Sequence, residues 1–289
     1  MFYPDIINFT LIEFLRSEFY GGDIVELWKC KILKIGIDCI IKKFHNEVVG
    51  IEFLENSKIK LGNRKFLIKS FLGSGCYGLV LEILEKSTKK IFALKIFYVR
   101  KDGEKEYYYH SLFRNCINIV NIYESEIKSD YFIFLMDRMK CDLEQVNPDT
   151  KSIIKICENI IFGLKQIHEK KIIHLDIKLK NIYLDENGVA YIGDFSNCIF
   201  INETNSVYIN PSIDIFNLGI ILLELLNNNK SVDIKKNQIE INNLIEKILK
   251  NRNEKNSHGF LLRLLKDLLV IRNNILTSED ILIKHFLKI

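Results

Sequence analysis

"HLDIKLKN", residues 174–181, decides how this chain is read. It sets one carboxylate, Asp176, two residues after an imidazole, His174, and two before an ammonium, Lys178, and it closes on an amide, Asn181. A carboxylate so placed can orient a hydroxyl and accept its proton as a phosphoryl group leaves ATP. Lys178 can neutralise the γ-phosphate, and Asn181 can hold magnesium from the same loop. His174 is expected to brace the loop backbone. Past a short predicted strand pair, in "YIGDFSNC" (191–198), Asp194 can bridge magnesium to the β- and γ-phosphates.

Toward the N-terminus, "GSGCYGLV" (73–80) carries Gly73, Gly75 and Gly78 in a GxGxxG pattern. Three phosphate-binding readings compete with a plain Gly-rich hairpin. A P-loop would end in Gly-Lys-Ser or Gly-Lys-Thr, and this stretch does not. A dinucleotide fold needs a helix straight after the glycines, whereas "LVLEILE" reads as a strand. The third reading is a hairpin that closes over ATP phosphates, with Val80 against the base. Further on, "FALKIF" places Lys95 inside an apolar strand, where an ammonium is costly unless paired. A snorkelling lysine is the bland alternative. The functional one puts Lys95 on the α- and β-phosphates, held by Glu104 or Glu106 of "GEKEYYYH".

Composition bounds the rest. The chain has 289 residues, 48% of them hydrophobic and 27% charged, as in ordinary globular proteins. A net charge of +4, without a basic tract, gives no argument for nucleic acid. The longest apolar run, "LGIILLELL" (218–226), is too short to span a bilayer, and "MFYPDIINFT" does not read as a signal peptide. The 7 cysteines are scattered without metal-like spacing, which fits reduced thiols in an intracellular protein of the nucleus or cytoplasm. "DIINFTLIEFLRSEFYGG" predicts a helix and "VELWKCKILKIGIDCIIKKF" predicts strands. Strands dominate from Lys65 to Met139, apart from a helix in "EKEYYYHSLFRN". Helices dominate afterwards, over 150–171, 213–227, 236–251, 258–270 and 278–287. This order predicts an α+β fold with a β-rich first lobe and a helical second lobe.

Taken together, the ordered residues Gly73, Gly75, Gly78, Lys95, Glu106, Asp176, Lys178, Asn181 and Asp194 resemble the eukaryotic-type protein kinases over roughly residues 66–287. "HLDIKLKN" stands where most of that family has HRD and KxxN, and "DFS" stands for DFG. "DIFNLGIILLELL" looks like the central helix of the second lobe, with Asp214 bracing the catalytic loop, and "LTSEDILIKHFLK" looks like the terminal helix. "FIFLMDRMKCDL" looks like the hinge. The resemblance then implies an adenine site of Ala93, Met136 as gatekeeper, and Asp137 to Met139. It also implies ATP and magnesium as cofactors, and domains of 1–65 (an extension of unknown role) and 66–289, divided near 139.

Finer features resemble one branch, the Wee/Myt kinases that inhibit mitotic cyclin-dependent kinases. That branch has HLD or HMD without an Arg. Its lysine-partner helix reads E-x-Y-x-H, then ten residues to a Val, which "EYYYHSLFRNCINIV" (106–120) matches and which favours Glu106 over Glu104. The resemblance implies a role in cell-cycle control. The substrate would be a protein, with an inhibitory tyrosine of a cyclin-dependent kinase as acceptor.

Departures keep other readings open. Ser196 replaces the glycine of DFG, Ser212 replaces the glutamate of APE, and Ile275 stands where its arginine partner belongs. Only Ser212 and Ile213 separate Pro211 from Asp214, which erodes the platform for substrate. A pseudokinase acting as a binding module, a serine/threonine kinase of another substrate, and a kinase-fold enzyme acting on a small molecule are the alternatives.

Overall fold

The computed structural model describes residues 39–44, 47–53, 58–75, 77–97, 99–128, 131–201, 210–232, 238–251, 257–269 and 277–286. The helix expected near the N-terminus lies outside them, as do most of the strands expected over 25–44, and so does Ile275. The chain divides into two compact units, residues 1–108 with 122–138, and residues 109–121 with 139–289.

The first unit is built from strands. β1 (Cys39–Phe44) and β2 (Glu47–Phe53) form an antiparallel hairpin. β3 (Lys58–Leu61), β4 (Arg64–Gly75), β5 (Gly78–Glu85) and β6 (Ile91–Phe97) follow. The helix α1 (Arg100–Ser111) intervenes before β7 (Ile122–Lys128) and β8 (Tyr131–Asp137). Strands β3 to β8 make one antiparallel sheet in the order β3-β4-β5-β6-β8-β7. Residues alternate across a sheet. On one face Leu79, Leu81, Phe92, Leu94, Ile96 and Ile133 are buried in a common core.

The sheet curls, because the β3–β4 turn reaches the far strand β7. The Arg64 guanidinium bonds Glu85 on β5 and Glu124 on β7, each at 2.6 Å, and lies over the Phe92 ring at 4.9 Å. The Gly62 amide also donates to Glu126 of β7 at 3.4 Å.

Helix α1 starts at Arg100, earlier than the sequence suggests, and contains Gly103. A Cβ at Gly103 would lie 2.6 Å from that of Phe132, so glycine here lets the helix pack close to β8.

The second unit is mainly helical. A short strand β9 (Cys141–Asp142) precedes α2 (Thr150–Glu169), whose first turn is capped by the Asp149 carboxylate on the Ser152 amide at 2.8 Å. Ile153, Ile156, Cys157, Ile160, Ile161, Leu164 and Ile167 recur at helical spacing and are all buried. After β10 (Ile172–Ile173), β11 (Ile182–Leu184) and β12 (Ala190–Ile192) form an antiparallel pair with β9 on its edge. β13 (Ile199–Phe200) pairs with β10.

α3 (Ser212–Leu226) is apolar on nearly every side and buried accordingly. α4 (Gln238–Asn251) and α5 (His258–Leu268) come next. α6 (Ser278–Ile281) opens on a Thr277/Asp280 capping box and widens into a π turn over Leu282–Phe286. The last helix is therefore shorter, as an α-helix, than the sequence suggests.

Candidate active site

The candidate residues fall into two sets, one in each unit. In the first unit the strand register puts one set on a single face. Val80 is opposite Lys95, and Ala93 is opposite Met136. With a period of two, Ala93, Lys95 and Phe97 point the same way, away from the Phe92/Leu94/Ile96 core. Lys95 therefore sits among Phe97, Phe132 and Phe134 and needs a counter-charge.

Glu106 supplies it. Both of its carboxylate oxygens lie 2.7 Å from the Lys95 ammonium, and the Glu106 side chain is 1% exposed. Glu104, the other candidate, bonds Arg100 at 2.7 Å near the surface. Asp137 accepts a hydrogen bond from the Tyr123 hydroxyl at 2.6 Å.

The glycines belong to the β4–β5 hairpin, where Gly75 faces Gly78. A strand follows them, so this is neither a P-loop nor a dinucleotide turn. Gly78 also answers a packing demand, since a Cβ there would lie 2.0 Å from the Ile96 carbonyl oxygen. A Cβ at Gly73 would meet nothing within 4 Å.

In the second unit the loop 174–181 hangs on Asp214, in the first turn of α3 and fully buried. Its carboxylate accepts from the His174 amide at 2.8 Å and the Leu175 amide at 2.9 Å, and His168 Nε2 lies 2.9 Å from it. Those amides converge because Leu175 takes a left-handed conformation, φ 63°. That costs a non-glycine residue about 1–2 kcal/mol and persists only where surroundings hold it. Leucine at 175 thus fills a position whose amide, not side chain, has the work.

His174 is completely buried, and burial pushes its imidazole pKa below the ordinary value. Its Nδ1 accepts from the Asp176 amide at 3.3 Å, so Nε2 carries the proton toward the Gly193 carbonyl 3.2 Å away. One neutral ring thereby joins the Asp176 loop to the segment before Asp194.

Asp176 Oδ2 accepts from Lys178 Nζ at 2.8 Å and from Asn181 Nδ2 at 2.9 Å. The Asn181 carbonyl also accepts from the Gly193 amide at 3.0 Å. Asp194, φ 62°, receives the Ser196 hydroxyl at 2.8 Å. Phe195 is fully buried against three rings: His110, stacked at 4.4 Å, Phe113 at 5.4 Å and His174 edge-on at 5.0 Å.

His168 and Phe113 escape a reading by sequence, because only the tertiary fold brings them to the loop. His110 leaves a trace. The E-x-Y-x-H…Val spacing is realised as a contact of 2.6 Å between His110 Nε2 and the Val120 carbonyl.

Among the described residues no cluster of three or more His, Cys, Asp or Glu could cage a metal. Asn181 and Asp194 instead offer one amide and one carboxylate. The Asn181 amide nitrogen is engaged by Asp176, which leaves its oxygen as the metal-facing donor type. Two hard oxygen donors fit magnesium, which keeps waters and takes substrate phosphates as its other ligands.

The profile of the protein kinase domain matches residues 66–285, and the chain belongs to that family. It is 30% identical over 195 residues to the serine/threonine-protein kinase pakH of Dictyostelium discoideum, covering 57% of this chain and 38% of that protein. It is 29% identical over 187 residues to the membrane-associated tyrosine- and threonine-specific cdc2-inhibitory kinase of Drosophila melanogaster, covering 53% of this chain and 34% of that protein. To the MAP kinase kinase MKK1/SSP32 of Saccharomyces cerevisiae it is 28% identical over 219 residues, 63% of this chain and 43% of that protein. The matched region thus spans less than half the length of these relatives.

Proposed function

We propose that this chain is an ATP-dependent protein kinase that transfers the γ-phosphate to a hydroxyl of a protein substrate. The observation that carries the reading is the Asp176 carboxylate, whose Oδ2 is fixed by Lys178 and Asn181 while the backbone beneath it is tied to Asp214. A carboxylate held this way can orient an incoming hydroxyl and accept its proton. Lys178 offsets charge on the transferring group, and Lys95, kept in place by Glu106, holds the phosphates. Asn181 and Asp194 are the residues that would hold magnesium. When bound, the metal neutralises charge on the phosphate oxygens.

We further read the acceptor as an inhibitory tyrosine of a cyclin-dependent kinase. The features supporting this are the Leu175 position, the His110–Val120 contact within the E-x-Y-x-H spacing, and the Drosophila relative whose name describes cdc2 inhibition. The intact ion pair and loop favour catalysis over a purely scaffolding role.

The test offers purified chain and Mg-ATP to a cyclin-dependent kinase–cyclin complex and to unrelated proteins, with Asp176→Asn as control, and maps the phosphosites. Phosphate on a kinase tyrosine, absent with the control, is expected. Phosphate confined to serine or threonine would overturn the tyrosine reading. Transfer equal in the control would overturn the catalytic one.

A further inference from the structure

Ser196 stands two residues past Asp194 and donates its hydroxyl to Asp194 Oδ1 at 2.8 Å. We infer that Ser196 is a positioning residue that orients the Asp194 carboxylate for the divalent cation; the inference rests on the proposed role of Asp194 as a metal ligand.

Asp194 sits in the left-handed region, and the residue between it and Ser196, Phe195, is immobilised among His110, Phe113 and His174. On the other side, the Gly193 amide and carbonyl are held by Asn181 and His174. The main chain next to Asp194 is therefore held from both sides, and the Ser196 hydroxyl on Oδ1 adds a direct hold on the carboxylate itself. A hydroxyl on Oδ1 restricts rotation of that carboxylate, and serine also has fewer backbone conformations than glycine. Both effects reduce the ordering required when the cation arrives.

The test is a titration of Mn2+ in the presence of ADP, followed by electron paramagnetic resonance, on the full chain and on Ser196→Ala, Ser196→Gly, Ser196→Thr and Asp194→Asn. All are compared at matched far-UV circular dichroism. Loss of one hydrogen bond predicts Mn2+ affinity about 3- to 10-fold weaker in the alanine and glycine variants. Threonine, which keeps the hydroxyl, should restore parent affinity, a rescue that a merely structural role for the side chain would not give. In kinetics the apparent metal constant should rise by the same factor, with the ATP KM at saturating metal unchanged. Parent-like Mn2+ affinity in Ser196→Ala, with binding lost in Asp194→Asn, would overturn the role of Ser196 alone. Parent-like affinity in Asp194→Asn would overturn the reading of Asp194 beneath it.

Discussion

The half-buried Lys95 ammonium and the buried Glu106 carboxylate, 2.7 Å apart, are worth most as a pair. Removing one partner leaves the other charge desolvated and costs about 3–5 kcal/mol in stability. Lys95→Met is therefore predicted to lower phosphotransfer by roughly 10²–10³-fold, the scale of deleting one electrostatic contact to a transition state. Part of the stability lost should return in the Lys95→Met/Glu106→Leu double variant, which strands neither charge. Activity should not return with it. Kinetics and denaturant unfolding of the single and double variants check both statements, and an active double variant would exclude Lys95 from catalysis. The lysine was legible in sequence because an ammonium inside "FALKIF" demands a partner. The choice of Glu106 over Glu104 was legible too, through the E-x-Y-x-H spacing, and the structure agrees by sending Glu104 to Arg100 and Glu106 to Lys95. The work of Asp214 was suggested only through resemblance, and that of His168 not at all. A histidine that bonds a carboxylate 46 positions away leaves no local pattern.

At the scale of elements, α2 follows from apolar periodicity and α3 from its nearly continuous apolar run, and the strands could be read in order. The curling of the first unit could not. β3 has four residues, and its closure depends on Arg64 meeting Glu85 and Glu124, contacts 21 and 60 positions apart. Likewise, "GSGCYGLV" reads as a phosphate loop, yet Gly78 also exists so that β6 can approach.

The Arg64 clasp carries a pH prediction. Hydrogen bonds from Arg64 and then Thr88 lower the Glu85 pKa from 4.5 to about 2. A depressed carboxylate stabilises the fold fully above its unfolded pKa and loses that contribution as pH falls through its folded one. The stability gap between the parent and Arg64→Met should therefore be constant near neutrality and shrink between about pH 4.5 and 2. Unfolding monitored across that range checks it, and a gap that widens toward acid would refute the clasp.

For the whole molecule, the question is how a substrate is gripped. Pro211 abuts α3 directly, and the Ser212 amide is already tied to the Asn210 side chain at 2.9 Å. Asp214, which anchors the catalytic loop, lies in the same first turn. Between Pro211 and that anchor the chain has only Ser212 and Ile213, so no separate element intervenes to cradle residues beside the acceptor. On the proposed reading, affinity comes from contacts elsewhere on a folded partner, and tethering there raises the effective concentration of the acceptor, with avidity gains of about 10²–10⁴. The expected outcome is that an intact cyclin-dependent kinase–cyclin complex is phosphorylated with kcat/KM at least ~10²-fold above that of a short peptide carrying the same acceptor. The difference should lie mainly in KM, because the groups around Asp176 act on either substrate alike. Adding the complex with its acceptor tyrosine replaced by phenylalanine should inhibit competitively against the intact complex. Peptide turnover matching that of the complex would place recognition beside the acceptor and sink the docking argument.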